Sequence, residues 1–344
     1  MVQPFYKLKV SSLSRETKEA ISIRLEVPDQ LKDLFEFKAG QYLTIVKEVG
    51  GNTLRRAYSI SAAPHENELK ITSKRVKGGK LSTYFLHELA VGEELDVKPP
   101  QGSFTLRDVN KELVLFAGGS GISPIISILK AFLKESALQA YLFYGNTSRE
   151  EVIFWDELNE LKEQYQGRVL VQHYLSGDGE RLDQLRVKSL VENQISDKAD
   201  YYVCGPKGMM KAVLAALEDQ AFKGARVFTE YFNNPEAEES ANETIQVNMS
   251  QEINKVVVRL DDQDHQIELQ EGESILEGAE RIGIDPPFSC HSGVCTTCKA
   301  KLISGKVRME NNFGLGQDEE DEGFVLTCIG YPEAAGTKID WDQG

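Results

Sequence analysis

Four of the five cysteines in this 344-residue chain crowd into one short stretch: Cys290, Cys295, Cys298 and Cys328, spaced C-x4-C-x2-C and then twenty-nine residues to the last. No other feature restricts the fold as strongly. Three thiolates must converge from one tight loop, and the fourth must arrive from a distant strand. That spacing holds a [2Fe–2S] cluster. A structural zinc site is the other use of four cysteines, but zinc favours two short paired hooks, and only Cys295 and Cys298 form one. Gly293, inside the loop, permits positive φ and lets backbone amides face the sulfides. With four thiolates present, His291 is expected to be an exposed neighbour rather than a ligand. Cys204 stands alone. The N-terminus, MVQPFYKLKV, lacks the apolar core of a secretory signal, so metal binding is expected rather than a disulfide framework, and the expected compartment is the cytoplasm.

Charge divides the chain unevenly. The net charge is −15; residues 1–234 are neutral by formal count, 235–243 carry −4 and 244–344 carry −11. An acidic C-terminal third argues against nucleic acid and anionic membranes as partners and for a basic protein surface. The most apolar stretch, Leu113 to Leu133, is broken by Gly118, Gly119, Gly121 and Pro124 and contains Lys130. It reads as a buried strand, a turn and a buried helix rather than a membrane span.

Four segments follow from texture. Residues 1–106 show short alternating runs, such as Ile21–Leu25 and Glu68–Thr72, punctuated by Gly and Pro, which predicts an antiparallel barrel or sandwich with one short helix after Gly79. In residues 107–232, strand candidates Leu113–Ala117, Ala140–Tyr144, Val169–Tyr174 and Tyr201–Cys204 alternate with helix candidates Pro124–Lys134, Trp155–Tyr165, Leu182–Glu192 and Gly208–Ala221. That rhythm predicts a parallel sheet covered by helices. Residues 233–243 are polar, acidic and aperiodic, as in a linker. Residues 244–344 open with strand candidates Thr244–Met249, Lys255–Leu260 and Ile267–Leu269, then a helix Ile275–Ile282 capped by Ser274.

Within the second segment, strand Leu113–Ala117 feeds the turn Gly118-Gly119-Ser120-Gly121-Ile122-Ser123-Pro124. Its glycines let the backbone approach a pyrophosphate, and the helix that opens there attracts one. Ser123 is expected to cap the helix and Pro124 to take its first position.

Several of these motifs resemble known families. Ser289 to Cys298 is similar to the cluster loop of plant-type ferredoxins, and Leu326-Thr327-Cys328 to the strand that supplies their last ligand. His291 and Thr296 stand where those proteins usually have Arg and Gly. Arg56-Ala57-Tyr58-Ser59 resembles the Arg-x-Tyr-Ser motif of the ferredoxin–NADP reductase superfamily, whose barrel domain binds a flavin. The resemblance implies that Tyr58 stacks on the isoalloxazine, Ser59 bonds its N5 region and Arg56 pairs with phosphate. It also implies that Lys74, Gly78, Gly79 and Ser82 cradle a pyrophosphate, which favours FAD over FMN. The Gly118, Gly119, Gly121, Ser123 and Pro124 turn is similar to that superfamily's Gly-Gly-x-Gly-Ile-x-Pro, and Cys204-Gly205-Pro206 to the Cys-Gly-Pro beside the nicotinamide.

Taken together, the resemblance implies a multidomain chain: an antiparallel β-barrel flavin domain, an α/β parallel-sheet nicotinamide domain and an α+β, β-grasp-like ferredoxin domain. No Asp or Glu directly ends strand Ala140–Tyr144, and Ser148 and Arg149 could hold a 2′-phosphate, so NADPH is expected over NADH. Glu230, in Phe228–Phe232, is expected near the flavin, and Ser59, Cys204 and Glu230 are the candidate catalytic residues. Electrons would pass from NADPH through FAD and the [2Fe–2S] cluster to an oxygenase. The tail segments Lys306–Asn312 and Tyr331–Asp342 resemble reductases of di-iron epoxidases, which implies a di-iron oxygenase as acceptor; a Rieske dioxygenase, another hydroxylase or a desaturase is the near alternative. A redox sensor without catalysis is the alternative from another class.

Overall fold

A computed structural model describes residues 5–194, 199–219, 226–231, 253–270, 272–284, 286–288, 293, 296–310, 312 and 315–344. The proposed linker 233–243, the strand candidate Thr244–Met249 and the ligand candidates Cys290 and Cys295 lie outside the described residues. Two compact units divide the chain: Tyr6–Leu43 with Tyr58–Phe232, and Met1–Phe5 with Thr44–Ala57 and Asn233–Gly344.

The N-terminal strands are β1 (Tyr6–Thr17), β2 (Ala20–Glu26), β3 (Tyr42–Val49), β4 (Asn52–Ser59), β5 (Leu69–Lys74) and β6 (Glu94–Val97), with helix α1 (Lys80–His87) between the last two. They form a six-stranded sheet in the order β4-β3-β6-β1-β2-β5. Alternation explains the inward faces: Leu8 and Val10 of β1, and Ile21, Ile23 and Leu25 of β2, are buried. Ile60, just past β4, bridges Ile71 of β5, and the Ser61 amide donates to the Lys70 carbonyl (2.8 Å), so the two ends of the sheet meet as a barrel requires.

Next come β7 (Leu113–Gly118), α2 (Ile122–Glu135), β8 (Ala140–Asn146), α3 (Trp155–Gln164), β9 (Val169–Leu175), α4 (Gln184–Gln194), β10 (Asp200–Gly205), α5 (Lys207–Asp219) and β11 (Arg226–Tyr231). All neighbours in this sheet are parallel, in the order β11-β10-β7-β8-β9. The unbroken apolar run of β7 follows from that position, since a central parallel strand is covered on both faces. One face carries Leu115, Ala117, Leu142 and Tyr144 against α2 and α3; the other carries Phe116, Phe143 and Val203 against α4 and α5. The strand order reverses between β7 and β10, which makes their carboxyl ends the switch point of the sheet.

In the C-terminal segment, β12 (Lys255–Leu260), β13 (Gln263–Glu268), α6 (Ile275–Arg281), β14 (Lys299–Ser304), β15 (Val307–Met309), α7 (Gln317–Asp321), β16 (Phe324–Leu326), β17 (Gly330–Pro332) and β18 (Lys338–Asp340) follow in order. The main sheet runs β13-β12-β18-β14-β16, and β15 pairs with β17. Helix α6 starts as the sequence indicates: the Ser274 hydroxyl accepts from the Glu277 amide (3.2 Å), and the Glu277 carboxylate accepts from the Ser274 amide (2.7 Å).

Candidate functional site

The switch point brings two sequence motifs into contact. Gly118 ends β7, Cys204 and Gly205 end β10, and Pro206 leads into α5. A side chain on Gly118 would meet Pro206 Cδ at 2.5 Å, and one on Gly121 would meet the Cys204 carbonyl oxygen at 2.3 Å. Glycine is therefore required for the turn to lie against the end of β10. The glycine turn is a single 3-10 turn, Gly119–Gly121, and α2 begins at Ile122. This corrects two expectations: Ser123 is the second helical residue, not the cap, and Pro124 the third, not the first. Proline is tolerated there because the amides of the whole first turn lack helical partners. The Ser123 hydroxyl is buried and has no hydrogen-bond partner among the described residues. A buried unsatisfied hydroxyl at the start of a helix fits a cofactor phosphate.

Cys204 is fully buried and lies directly across from Glu230 in the β10–β11 register. Burial pushes its thiol well up, and the Glu230 carboxyl adds to the shift. At neutral pH the group stays a protonated thiol, not a thiolate nucleophile. Glu230 itself is buried on β11, a strand that the sequence reading did not assign. Ser148 and Arg149 lie beyond the end of β8, where Arg149 caps the Trp155 ring at 4.5 Å. The Ser148 hydroxyl hydrogen-bonds Glu150, which holds that carboxyl below its ordinary value.

On β4, Tyr58 is half-buried and Ser59 buried. The Tyr58 ring meets Phe85 of α1 at 5.2 Å, so one face is braced from behind. Arg56 donates to the Arg55 carbonyl (2.7 Å) and lies over the Phe288 ring at 4.5 Å. Lys74 ends β5 and pairs with Glu151 at 3.0 Å. Gly78 and Gly79 form the turn before α1, closed by Ser82, whose hydroxyl accepts from the Val76 amide (3.1 Å). Next to Lys74, the Ser73 hydroxyl is buried without a partner among the described residues, a donor that a flavin cofactor can use. Sequence reasoning missed Ser73, because nothing in a Thr-Ser-Lys tripeptide signals burial.

Of the four candidate cluster cysteines, the structure describes Cys298 and Cys328, both buried. Cys298 immediately precedes β14, and Cys328 lies in a 3-10 turn just after β16. Those strands pair antiparallel with Lys299 opposite Leu326, so both cysteines fall at the same end of the pair. The Thr327 amide and hydroxyl donate to the Cys298 carbonyl at 3.2 and 3.0 Å, and Trp341 Nε1 donates to the same hydroxyl at 3.2 Å. Gly293 has φ +72°. Two buried cysteines at the same end of one strand pair, neither in a disulfide, fit ligands of a shared metal centre. Asp318, Glu319, Glu320 and Asp321 lie on α7, where Glu319 pairs with Lys299 at 3.1 Å.

A closed antiparallel sheet, a parallel sheet with a glycine switch point and a cysteine-bearing C-terminal domain define an NAD(P)H-dependent flavin and iron–sulfur oxidoreductase. Comparison with known proteins agrees over the chain's length. Residues 7–106 match the model of the oxidoreductase FAD-binding domain, 115–215 that of the oxidoreductase NAD-binding domain and 258–333 that of the 2Fe-2S iron-sulfur cluster binding domain. The chain is 34% identical to a subunit of the 1,2-phenylacetyl-CoA epoxidase of Escherichia coli (strain K12), over 98% of each protein. It is 32% identical to the ferredoxin reductase component of the 3-ketosteroid-9-alpha-monooxygenase of Rhodococcus rhodochrous, over 97% of this chain and 96% of that one. The solved phthalate dioxygenase reductase superposes with a TM-score of 0.61 at 26% identity, over 98% of each chain. The chain belongs to the family of oxygenase reductase components that carry FAD-binding, NAD-binding and 2Fe-2S domains in that order. Among the described residues no helix is long and apolar enough to cross a membrane.

Proposed function

We propose that this chain draws electrons from NADPH and delivers them to the di-iron oxygenase component of a phenylacetyl-CoA epoxidase. The observation that carries this reading is full-length similarity to a subunit of such an enzyme, at 34% identity. The tail segments Lys306–Asn312 and Tyr331–Asp342 support it. When bound, FAD supplies conversion of a two-electron hydride donor into the single electrons that a [2Fe–2S] cluster accepts.

The chain's own residues position these groups. Tyr58, held by Phe85, would stack on the flavin ring, and Ser59 would offer it a hydroxyl. Arg56, Lys74, Gly78, Gly79 and Ser82 form the flavin phosphate site. Gly118, Gly119, Gly121, Ser123 and Pro124 shape the phosphate site of the nicotinamide cofactor. Cys204, Gly205 and Pro206 close the nicotinamide end, where a protonated thiol and buried Glu230 keep water out of the hydride path. Cys290, Cys295, Cys298 and Cys328 ligate the cluster. The absence of Asp or Glu at the end of β8, with Ser148 and Arg149 following, favours NADPH.

The test is acceptor reduction. Holoprotein with NADPH is expected to support epoxidation by a purified phenylacetyl-CoA epoxidase oxygenase component, with a rate that falls as ionic strength rises, because the C-terminal third is acidic. Turnover of a ketosteroid monooxygenase component instead, with none of the epoxidase, would overturn the assignment. Equal kcat/KM for NADH and NADPH would remove the cofactor preference.

A further inference from the structure

Helix α2 begins where the glycine turn ends, and Ser127, in its second turn, reaches the barrel. Ser127 is fully buried. Its hydroxyl donates to the Ala62 carbonyl at 2.6 Å and accepts from the Gly40 amide at 3.3 Å. Gly40 and Ala62 lie in the stretch that matches the FAD-binding domain, and Ser127 in the stretch that matches the NAD-binding domain. All three belong to one compact unit. The backbone from Ser59 of the flavin motif to Ala63 is fixed at each residue. The Ile60 amide donates to the Gln41 carbonyl and the Ser61 amide to the Lys70 carbonyl, each at 2.8 Å. The Ala63 amide donates to the Glu66 carboxylate at 2.6 Å, and that carboxylate accepts from Lys130 at 2.7 Å. Lys130 lies three residues beyond Ser127, on the same face of α2. Gly40 is held as tightly, because its φ is +98° and a side chain there would overlap the Phe104 carbonyl oxygen.

A hydroxyl suits this place. It donates to one backbone group and accepts from another, so a single side chain ties two barrel segments to the helix behind the glycine turn. The reaction between the two domains is hydride transfer. Two electrons and a proton pass together from the nicotinamide C4 to the flavin N5; a C–H bond breaks, an N–H bond forms, the nucleotide is oxidised and the flavin reduced. Such a step depends steeply on approach, and a misplacement of about 1 Å can cost on the order of a hundredfold. We propose that Ser127 is a positioning residue for hydride transfer, its hydroxyl fixing how the two cofactor domains meet. The proposal goes beyond the function given above, because it holds for NADPH or NADH and for any electron acceptor.

The experiment follows flavin reduction by NADPH in anaerobic holoprotein, by stopped-flow spectroscopy with no acceptor present. Calorimetric titration of the oxidised protein with NADP+ runs beside it. In Ser127→Ala the limiting rate of flavin reduction is expected to fall at least about tenfold, while affinity for NADP+ changes less than about threefold, because the groups assigned to the nucleotide are untouched. With NADPH deuterated at the transferred C4 position, the slowed rate is expected to show a primary isotope effect at least as large as in wild type. Thermal unfolding and the flavin spectrum confirm that the variant is folded and loaded. A lower unfolding midpoint with an unaltered limiting rate would show a structural role alone and overturn the proposal. So would a slowed rate whose isotope effect has vanished, since the loss would then lie outside the hydride step. Should Ser127→Ala fail to load flavin, Glu66→Gln decides, because it loosens the neighbouring tie to Lys130: it must slow flavin reduction with the same small change in NADP+ affinity, and an unaltered rate overturns the proposal. A wild type that prefers NADH would end the NADPH reading alone, and the same measurements with NADH and NAD+ would still decide the role of Ser127.

Discussion

At the carboxyl edge of the parallel sheet, shape comes from side chains that are missing. Gly118 and Gly121 let two strand ends and a helix start close to distances that a Cβ would forbid. At the end of the β14–β16 pair the reverse holds. Cys298 and Cys328 sit where two strands are tied by Thr327, and their sulfurs are the proposed cluster ligands. The first site is geometry that any phosphate-bearing ligand can use; the second is chemistry in particular atoms. The contrast teaches that one site should degrade by degrees under substitution and the other should fail outright.

The largest expected effect is that failure. Cys298→Ser or Cys328→Ser removes a thiolate from the set, and the cluster's visible absorption and electron paramagnetic signal should be lost. NADPH should still bleach the flavin in the same protein, because the residues of the first site are untouched. Flavin reduction lost together with the cluster would break the comparison.

Next is the ion-pair cluster that fixes α2, the helix behind the glycine turn. Lys130 is 4% exposed and bonds Glu66 and Glu157, each at 2.7 Å. Lys130→Met takes the closer ion pair from both carboxylates, leaving Glu157 with Lys70 at 3.7 Å and Glu66 with the Ala63 amide, and is expected to cost about 3 kcal/mol in thermal or denaturant unfolding. Its pH dependence follows from Glu66. Burial raises that carboxyl, but the Lys130 ammonium and the Ala63 amide outweigh burial and hold it below its ordinary value of 4.5. A lowered carboxylate pKa contributes stability that is present above the unfolded value and lost as pH falls through the folded one. The gap between wild type and Lys130→Met should therefore narrow as the solution is acidified through the carboxylate range. A gap that widens on acidification would show that Glu66 is not the partner that matters.

Third is Gly121→Ala, whose Cβ would press on the Cys204 carbonyl oxygen at 2.3 Å. Backbone on both sides must shift, at about 1–3 kcal/mol. Nicotinamide nucleotide affinity should fall by about tenfold for each 1.4 kcal/mol that reaches the site, with the cluster spectrum intact. Unaltered affinity would mean that the turn relaxes freely and that its close packing is not what shapes the site.

These sites were unequally legible in the sequence. Cysteine spacing and glycine turns are local patterns, so the cluster domain and the switch point could be read directly, and β7 to β10 begin within one residue of their predicted starts. What escaped depends on contacts between distant residues. Arg226–Tyr231 has no unbroken apolar run and so gives no strand signal; β11 is an edge strand that, among the described residues, pairs with β10 alone. β13 starts four residues before its predicted start, because Gln263 to Gln266 are polar and gain strand structure by pairing with β12 across the Asp261–Asp262 turn, where both residues have positive φ. The start of α2 was placed too late, because a short 3-10 turn leads into the helix ahead of Ser123.

The smallest effect belongs to the cysteine-bearing domain and separates its scaffold from its chemistry. Ser274 is fully buried, and its capping box with Glu277 closes the first turn of α6. Ile275, Leu276 and Ala279 of that helix pack into the same core as Cys298 and Cys328. Ser274→Ala removes the hydroxyl that accepts from the Glu277 amide and should cost about 1 kcal/mol. The cluster's absorption and its reduction by NADPH should be unchanged at moderate temperature, with loss of the cluster on heating arriving a few degrees earlier. If Ser274→Ala instead alters the spectrum of the folded protein, the helix start governs the sulfurs directly, and the division between scaffold and ligand drawn for this domain does not hold.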